Sequence, residues 1–179
     1  MRPFYKKTSQ ACPAKPLKRS GGFALVEAMV ACAIIVTATF ALVSSAQKGI
    51  ALSNLALEQT KASYLLEEGA EATKTVRDSG WSNISGLTVG TTYYPSYSNT
   101  TNTWSLGASA PANPTNPIDG LFTRSLVISA VNRDSTTEDI VTSGGTLDAN
   151  TKKVTVTVSW PSPSGTQSKT LSLYMSNIF

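Results

Sequence analysis

Gly21-Gly22-Phe23-Ala24-Leu25-Val26-Glu27 opens the stretch that decides the fold of this 179-residue chain. It places one carboxylate, Glu27, near the start of residues 23–46, which carry no other charge. At ~1.5 Å per residue this segment gives ~36 Å of helix, enough to cross the hydrocarbon core of a bilayer. A carboxylate at membrane depth is costly and usually functional. The stretch therefore predicts a membrane-spanning helix whose acidic residue has a specific role.

The charges on either side of this segment are unequal. Six of the fifteen basic residues precede Phe23, and no acidic residue does. The remainder of the chain has nine basic and eleven acidic side chains. Residues 1–22, which also contain three prolines, are predicted to be an unstructured basic leader that stays on the cytoplasmic side of the membrane. The weakly acidic body argues against nucleic-acid binding by the body as a whole.

The helical pattern continues beyond the apolar segment. Residues 47–80 are predicted to be an amphipathic second half of the same helix, which runs from Phe23 to about Asp78. Gly80 is expected to stop the helix, with Trp81 folding back onto Val76. Apolar or small residues form one stripe of this half: Ala51, Leu55, Ala62, Leu65, Leu66, Gly69, Ala72 and Val76. Because these side chains are apolar or small, we expect the stripe to pack against another surface of the protein.

Residues 81–179 are predicted to form a β-rich head. A hairpin is expected with arms at 91–94 and 103–106, followed by strands at 121–133, 153–160 and 170–176. Turn-rich segments at 142–150 and 161–165 separate the last three. The predicted fold is α+β: the long N-terminal helix packs on a small antiparallel sheet of 3–5 strands. The packing residues are expected to be Leu55, Leu65, Leu66 and Val76 on the helix and Val154, Val156 and Val158 on the sheet.

The composition argues against an enzyme. The chain has no histidine, which is the commonest general base and the commonest metal ligand in proteins. Its two cysteines, Cys12 and Cys32, leave the rest of the chain without a disulfide. No paired-carboxylate motif and no glycine-rich phosphate loop is found. Neither catalysis nor a cofactor is expected.

Two simpler interpretations of the N-terminus remain open. Glu27 could be a polar residue at the edge of an ordinary anchor helix, within reach of water. The whole segment could be a secretory signal peptide, since Ser44-Ser45-Ala46 resembles a cleavage site of small residues. Signal peptides have apolar regions of only ~7–15 residues, however, and this region is longer and contains Glu27.

The motif Gly22-Phe23-Ala24-Leu25-Val26-Glu27, followed by an apolar helix and a β domain, resembles the type IV pilin and pseudopilin superfamily. The resemblance implies that a prepilin peptidase cleaves between Gly22 and Phe23 and methylates the new N-terminus at Phe23. It also implies a prokaryotic subunit that sits in the inner membrane and then joins an extracellular pilus or pseudopilus.

Four features depart from the family: Ala24 replaces a frequent Ser or Thr, the leader is long, no proline lies near Ser44, and the head has no disulfide.

The resemblance implies a structural function. The chain is expected to polymerise with itself or with other pilins through its N-terminal helix, for adhesion, DNA uptake, motility or secretion. The new ammonium of Phe23 and the Glu27 carboxylate of another copy are expected to pair and set the register of assembly. Whether the subunit is major, minor or a pseudopilin is left open.

The alternative function is a minor tip pilin or a membrane-anchored binding module. In this interpretation the loops within residues 82–120 contact DNA or a glycan. The aromatic residues that could form a stacking platform are Tyr93, Tyr94, Tyr97 and Trp104. Core packing and hairpin pairing are the favoured roles for these rings.

No metal site is predicted. Glu67, Glu68, Glu71 and Asp78 are interpreted as a solvated face, or as an inter-subunit contact with Lys74 and Arg77. Asp148 and Asn150 are a weak candidate for calcium and fit a turn equally well.

Overall fold

A computed structural model of the chain describes residues 21–111 and 117–178. The predicted leader, apart from Gly21 and Gly22, lies outside these residues. The chain divides into two compact units, Met1–Leu52 and Ser53–Phe179. We call the second unit the head.

Helix α1 extends over Gly21–Asp78 and contributes to both units. Gly21 and Gly22, which precede the expected start at Phe23, are already helical, and glycine costs only ~1 kcal/mol in a helix. At the other end the Ser79 hydroxyl donates to the Val76 carbonyl at 2.7 Å, and Gly80 has a φ of +148°. The predicted stop at Gly80 is therefore confirmed. Trp81 precedes a short helix, α2 (Ser82–Ser85), which the sequence did not predict.

The head contains six strands, more than the 3–5 expected. They are β1 (Thr92–Ser98), β2 (Thr103–Gly107), β3 (Thr123–Arg133), β4 (Ile140–Val141), β5 (Thr146–Ser162) and β6 (Gly165–Ser176). The order is β2-β1-β3-β5-β6, and β4 pairs with the end of β3. The pairings are antiparallel, as predicted. Strands β1 and β2 form a hairpin, but its first arm pairs through residues 94–98 and not through the expected 91–94.

Strand β5 is longer than predicted, because part of the turn-rich segment 142–150 belongs to it. The connection is confined to residues 142–145, in which Gly144 and Gly145 have φ angles of +70° and +69°. After the turn, Leu147 pairs with Asn132, and the ladder shifts register before Lys152 pairs with Ala130. A β-bulge of this kind allows strand pairing to continue through residues that look like a turn.

The core lies between α1 and the inner face of the sheet. The rings of Phe122 and Trp160 meet there with centroids 5.8 Å apart. As predicted, Val154, Val156 and Val158 are fully buried. The other buried members of this core are Ala62, Leu66, Tyr93, Leu126, Ile128 and Met175.

The predicted helix stripe is buried only in its second part. Leu66 and Val76 are buried and Leu65 packs partly against the core, whereas Leu55 is 37% exposed. Including Leu55 among the packing residues was therefore wrong, because the sheet covers the helix only from about Ala62 onward.

Polar contacts fasten the helix to the sheet beside this core. Arg124 on β3 points inward with 6% of its side chain exposed, and its guanidinium lies 2.8 Å from Glu68. The same guanidinium stacks 5.5 Å from the Trp104 ring centroid. At the sheet edge, Lys169 donates to the Gln59 carbonyl at 3.0 Å. Helix, central strand, hairpin and edge strand are thus joined by charged side chains as well as apolar ones.

Candidate functional site

The apolar segment of α1 is the most unusual surface of the chain. Every side chain from residue 23 to 52 is exposed, including Phe23 at 84% and Leu42 at 72%. An 18-residue window within the helix has a mean hydropathy of 2.3, and none of it is buried. By length and composition, the helix could therefore cross a membrane. An apolar surface of this extent must be covered, since exposure to water costs ~25 cal/mol per Å².

Both threonine hydroxyls within this segment are satisfied by the helix itself. The Thr37 hydroxyl donates to the Ala33 carbonyl at 3.0 Å, and Thr39 donates to Ile35 at 2.7 Å. Such back-bonding removes the need for water or for a partner chain. Cys32 is a free, exposed thiol.

Glu27 is the only charged residue among residues 23–46. Its carboxylate is exposed, and no ion pair joins it to any residue that the structure describes. It lies one helical turn from Phe23 and on the same side of the helix as Ala24 and Ala31, at ~100° per residue. The carboxylate thus stands beside a strip of small side chains and lacks a counter-ion in the described part of its own chain.

The aromatic residues of the hairpin do not form an open platform. Tyr93 is 7% exposed, and its phenolic oxygen accepts a hydrogen bond from the Thr88 amide at 2.9 Å. Tyr97 and Trp104 face each other across β1 and β2, with centroids 5.3 Å apart. Tyr94 is partly buried. Core packing and hairpin pairing therefore account for most of this aromatic surface, although Tyr97 stays 43% exposed.

The expected binding loops within 82–120 are in large part regular structure. They contain α2, β1 and β2, and residues 112–116 lie outside the described part of the chain.

Three of the four acidic residues of the predicted solvated face form ion pairs within the chain. Glu68 contacts Arg124, Glu71 contacts Lys74 at 2.7 Å, and Asp78 contacts Arg77 at 2.8 Å. Glu67 is exposed. In the described ranges, no group of three or more acidic or cysteine side chains is placed to hold a metal ion.

Asp148, the weak calcium candidate, has both carboxylate oxygens occupied. Arg133 donates to one at 2.7 Å, and the Asn150 amide donates to the other at 2.8 Å. The Thr151 hydroxyl and then the Arg133 guanidinium lower the pKa of Asp148 to about 2. Asp148 and Asn150 thus form a hydrogen-bonded turn at the bulge of β5.

This arrangement predicts an acid sensitivity of the head. A depressed pKa in the folded chain stabilises the fold above about pH 4. That stabilisation is lost as the pH falls toward 2 and Asp148 is protonated. We expect Asp148→Asn to flatten the pH dependence of the unfolding free energy between about pH 5 and 2. Urea titrations at a series of pH values measure this, with Asp139→Asn as control. An unchanged slope for Asp148→Asn would contradict the assignment.

Sequence reasoning missed Arg124, although a signal was present. Alternation along residues 123–133 places Arg124 on the same face as Leu126 and Ile128, where a charge needs a buried partner. The comparisons with known proteins give no further guide, since no family model, no curated protein and no solved structure matches the chain.

Proposed function

We propose that the chain is a filament subunit of the type IV pilin kind. A prepilin peptidase cleaves it between Gly22 and Phe23 and methylates the Phe23 nitrogen. The apolar helix holds the subunit in the membrane and then packs against the helices of other subunits, while the head forms the filament surface. Cleavage at Gly22 and polymerisation distinguish such a subunit from a protein that is held in the membrane by a simple anchor helix.

One observation carries this proposal: an apolar helix surface without cover that has a single unpaired carboxylate near its N-terminus. A lipid bilayer could cover the apolar side chains but offers no counter-ion to Glu27. Cleavage before Phe23 would create an ammonium group, and another copy of the helix could bring it to the carboxylate. Packing against other copies of the helix would thus cover the apolar side chains and bring a counter-ion to Glu27.

Energetics favour an intermolecular pair that sets the register. A carboxylate and an ammonium gain strongly from contact at low dielectric, but only when the pairing offsets their desolvation. Helices shifted out of register would leave both groups buried without partners, which is heavily penalised. The neighbouring alanines at 24, 28 and 31 allow the close helix approach that such a contact needs.

The cleavage is tested directly by intact mass and N-terminal sequencing of the full chain extracted from membranes. The chain should be expressed with and without a prepilin peptidase. We expect a mature N-terminus at methylated Phe23 that depends on the peptidase, and an uncut chain without it. Blocking the site with Gly22→Val, and leaving Gly21 intact, should abolish the cut.

Other termini would point elsewhere. A mature chain that begins at Gln47 would identify a secretory signal peptide ending at Ala46. A chain that keeps Met1–Gly22 in the presence of the peptidase would identify an ordinary anchor. Either result contradicts the proposed function.

A further inference from the structure

The sheet face that points away from α1 consists almost entirely of hydroxyl side chains. Cross-strand register aligns three positions from each of β3, β5 and β6 into a three-by-three array. We call this array the hydroxyl face. Its rows are Thr123-Ser159-Ser168, Ser125-Thr157-Thr170 and Val127-Thr155-Ser172. Val127 is the one member without a hydroxyl.

These hydroxyls are accessible, and most are unused by the protein. The β3 and β5 members are partly exposed, and the β6 members are exposed. Thr155 and Ser172 bond to each other at 2.9 Å. The other six hydroxyl groups have no side-chain hydrogen bond to any described residue. Strand geometry spaces them by ~4.8 Å across the sheet and ~6.8 Å along it.

Charge is directed away from this face. The two charged residues that these strands carry within the array, Arg124 and Lys169, both point inward to contacts on α1. The first charge in the continuing rows is Lys153, which pairs with Tyr174 at one end. A surface with so little charge offers no electrostatic attraction to nucleic acid or to anionic lipid. With only Val127 apolar, it also lacks the hydrophobic centre of a stable protein interface.

A neutral polymer of hydroxyl groups is complementary to this chemistry. Each serine or threonine hydroxyl both donates and accepts hydrogen bonds, as each sugar hydroxyl does. Tyr174, 51% exposed at the end of the array, adds a ring face against which the apolar side of a sugar can pack. Because the strands are rigid, the hydroxyl groups are already held in position, and little conformational entropy is lost on binding.

We propose that the hydroxyl face is a binding surface for neutral polysaccharide. It lies on the opposite face of the sheet from Tyr93, Tyr97 and Trp104, and its use requires neither cleavage nor polymerisation. The full-length chain in lipid nanodiscs can be sedimented with insoluble cellulose and with chitin, with double-stranded DNA on beads as the charged comparison. We expect retention on a neutral polysaccharide that persists in 1 M salt, and no retention on DNA.

A row variant tests the face itself. Ser125→Ala, Thr157→Val and Thr170→Val together remove the central row and keep the shape and strand preference of the side chains. We expect at least about a tenfold weaker apparent affinity. The matched control removes three exposed hydroxyls elsewhere, through Thr100→Val, Ser135→Ala and Thr136→Val, and should bind like the native chain.

Three results would overturn the proposal. They are an absence of retention on both polysaccharides, equal binding by the row variant and the native chain, and retention that disappears at high salt. Because the nanodisc-held monomer is used, a failure of filament assembly would leave this test unaffected.

Discussion

Under the proposed function, replacing Glu27 with glutamine should reduce filament yield by at least ~100-fold, because the Phe23 ammonium that the proposed cleavage creates would lose its counter-ion. Removing one member of a buried ion pair costs ~3 kcal/mol or more, and 1.4 kcal/mol corresponds to a factor of ten. Glutamine keeps the size of the side chain and its helical preference, so only the charge is changed. Sheared filaments, quantified against total mature subunit in the membrane, give the measurement.

The control for this prediction is Glu67→Gln, which removes an exposed carboxylate from the second half of the same helix. It should leave the yield unchanged. Both variants should keep the fold of the head, checked by tryptophan fluorescence, since Trp81, Trp104 and Trp160 all lie there. Normal filaments from Glu27→Gln would refute the register argument and leave Glu27 as a residue at the membrane edge.

The largest effect on stability is expected from Gly69→Val. A Cβ atom at residue 69 would lie 2.8 Å from a methyl group of Val156 and 3.0 Å from the Arg124 side chain. Val156 is fully buried and has no room to move, and Arg124 is held by Glu68. Overpacking of this kind costs ~1–3 kcal/mol, and a branched side chain adds to it. We expect a loss of ~3 kcal/mol and a melting temperature lower by on the order of 10 °C.

Gly49 provides the matched control on the same helix. A Cβ atom there would meet nothing within 4 Å, so Gly49→Val should not lower the melting temperature of the head. Thermal unfolding followed by tryptophan fluorescence compares the two variants. Equal stability of Gly69→Val and the native chain would mean that helix and sheet do not approach as closely as described.

The sequence predicted those elements whose pattern is local and repeated. The strict alternation of Val154, Val156 and Val158 was sufficient for the central part of β5, and the glycine stop at residue 80 was sufficient for the end of α1. The hairpin was also predicted, because turn residues separate two β-rich arms. These signals come from backbone geometry and burial, which short stretches of sequence record directly.

The features that were missed depend on residues far apart in the chain. Leu55 fits the helical stripe as well as Leu66 does, and only the extent of the sheet decides that Leu55 stays exposed. The start of β5 at Thr146 depends on pairing with β3 across a bulge. The pairing of Arg124 with Glu68 joins residues 56 positions apart in the sequence. For the proposed site, Glu27 and Phe23 were identified from the sequence motif, but the exposure of their side chains was not predicted.

The contact between Lys169 and helix α1 has a mechanical consequence. Lys169 bonds to the Gln59 carbonyl and the Ser63 hydroxyl, each at 3.0 Å, and these are the first hydrogen bonds from the head's strands to the helix in the described residues. A pull on the helix from its N-terminal side would therefore load strand β6 first. Since the head has no cysteine, no covalent bridge limits its extension. Under tension the head can lengthen by ~3.4 Å for each residue that unravels, and so absorb work before the chain breaks.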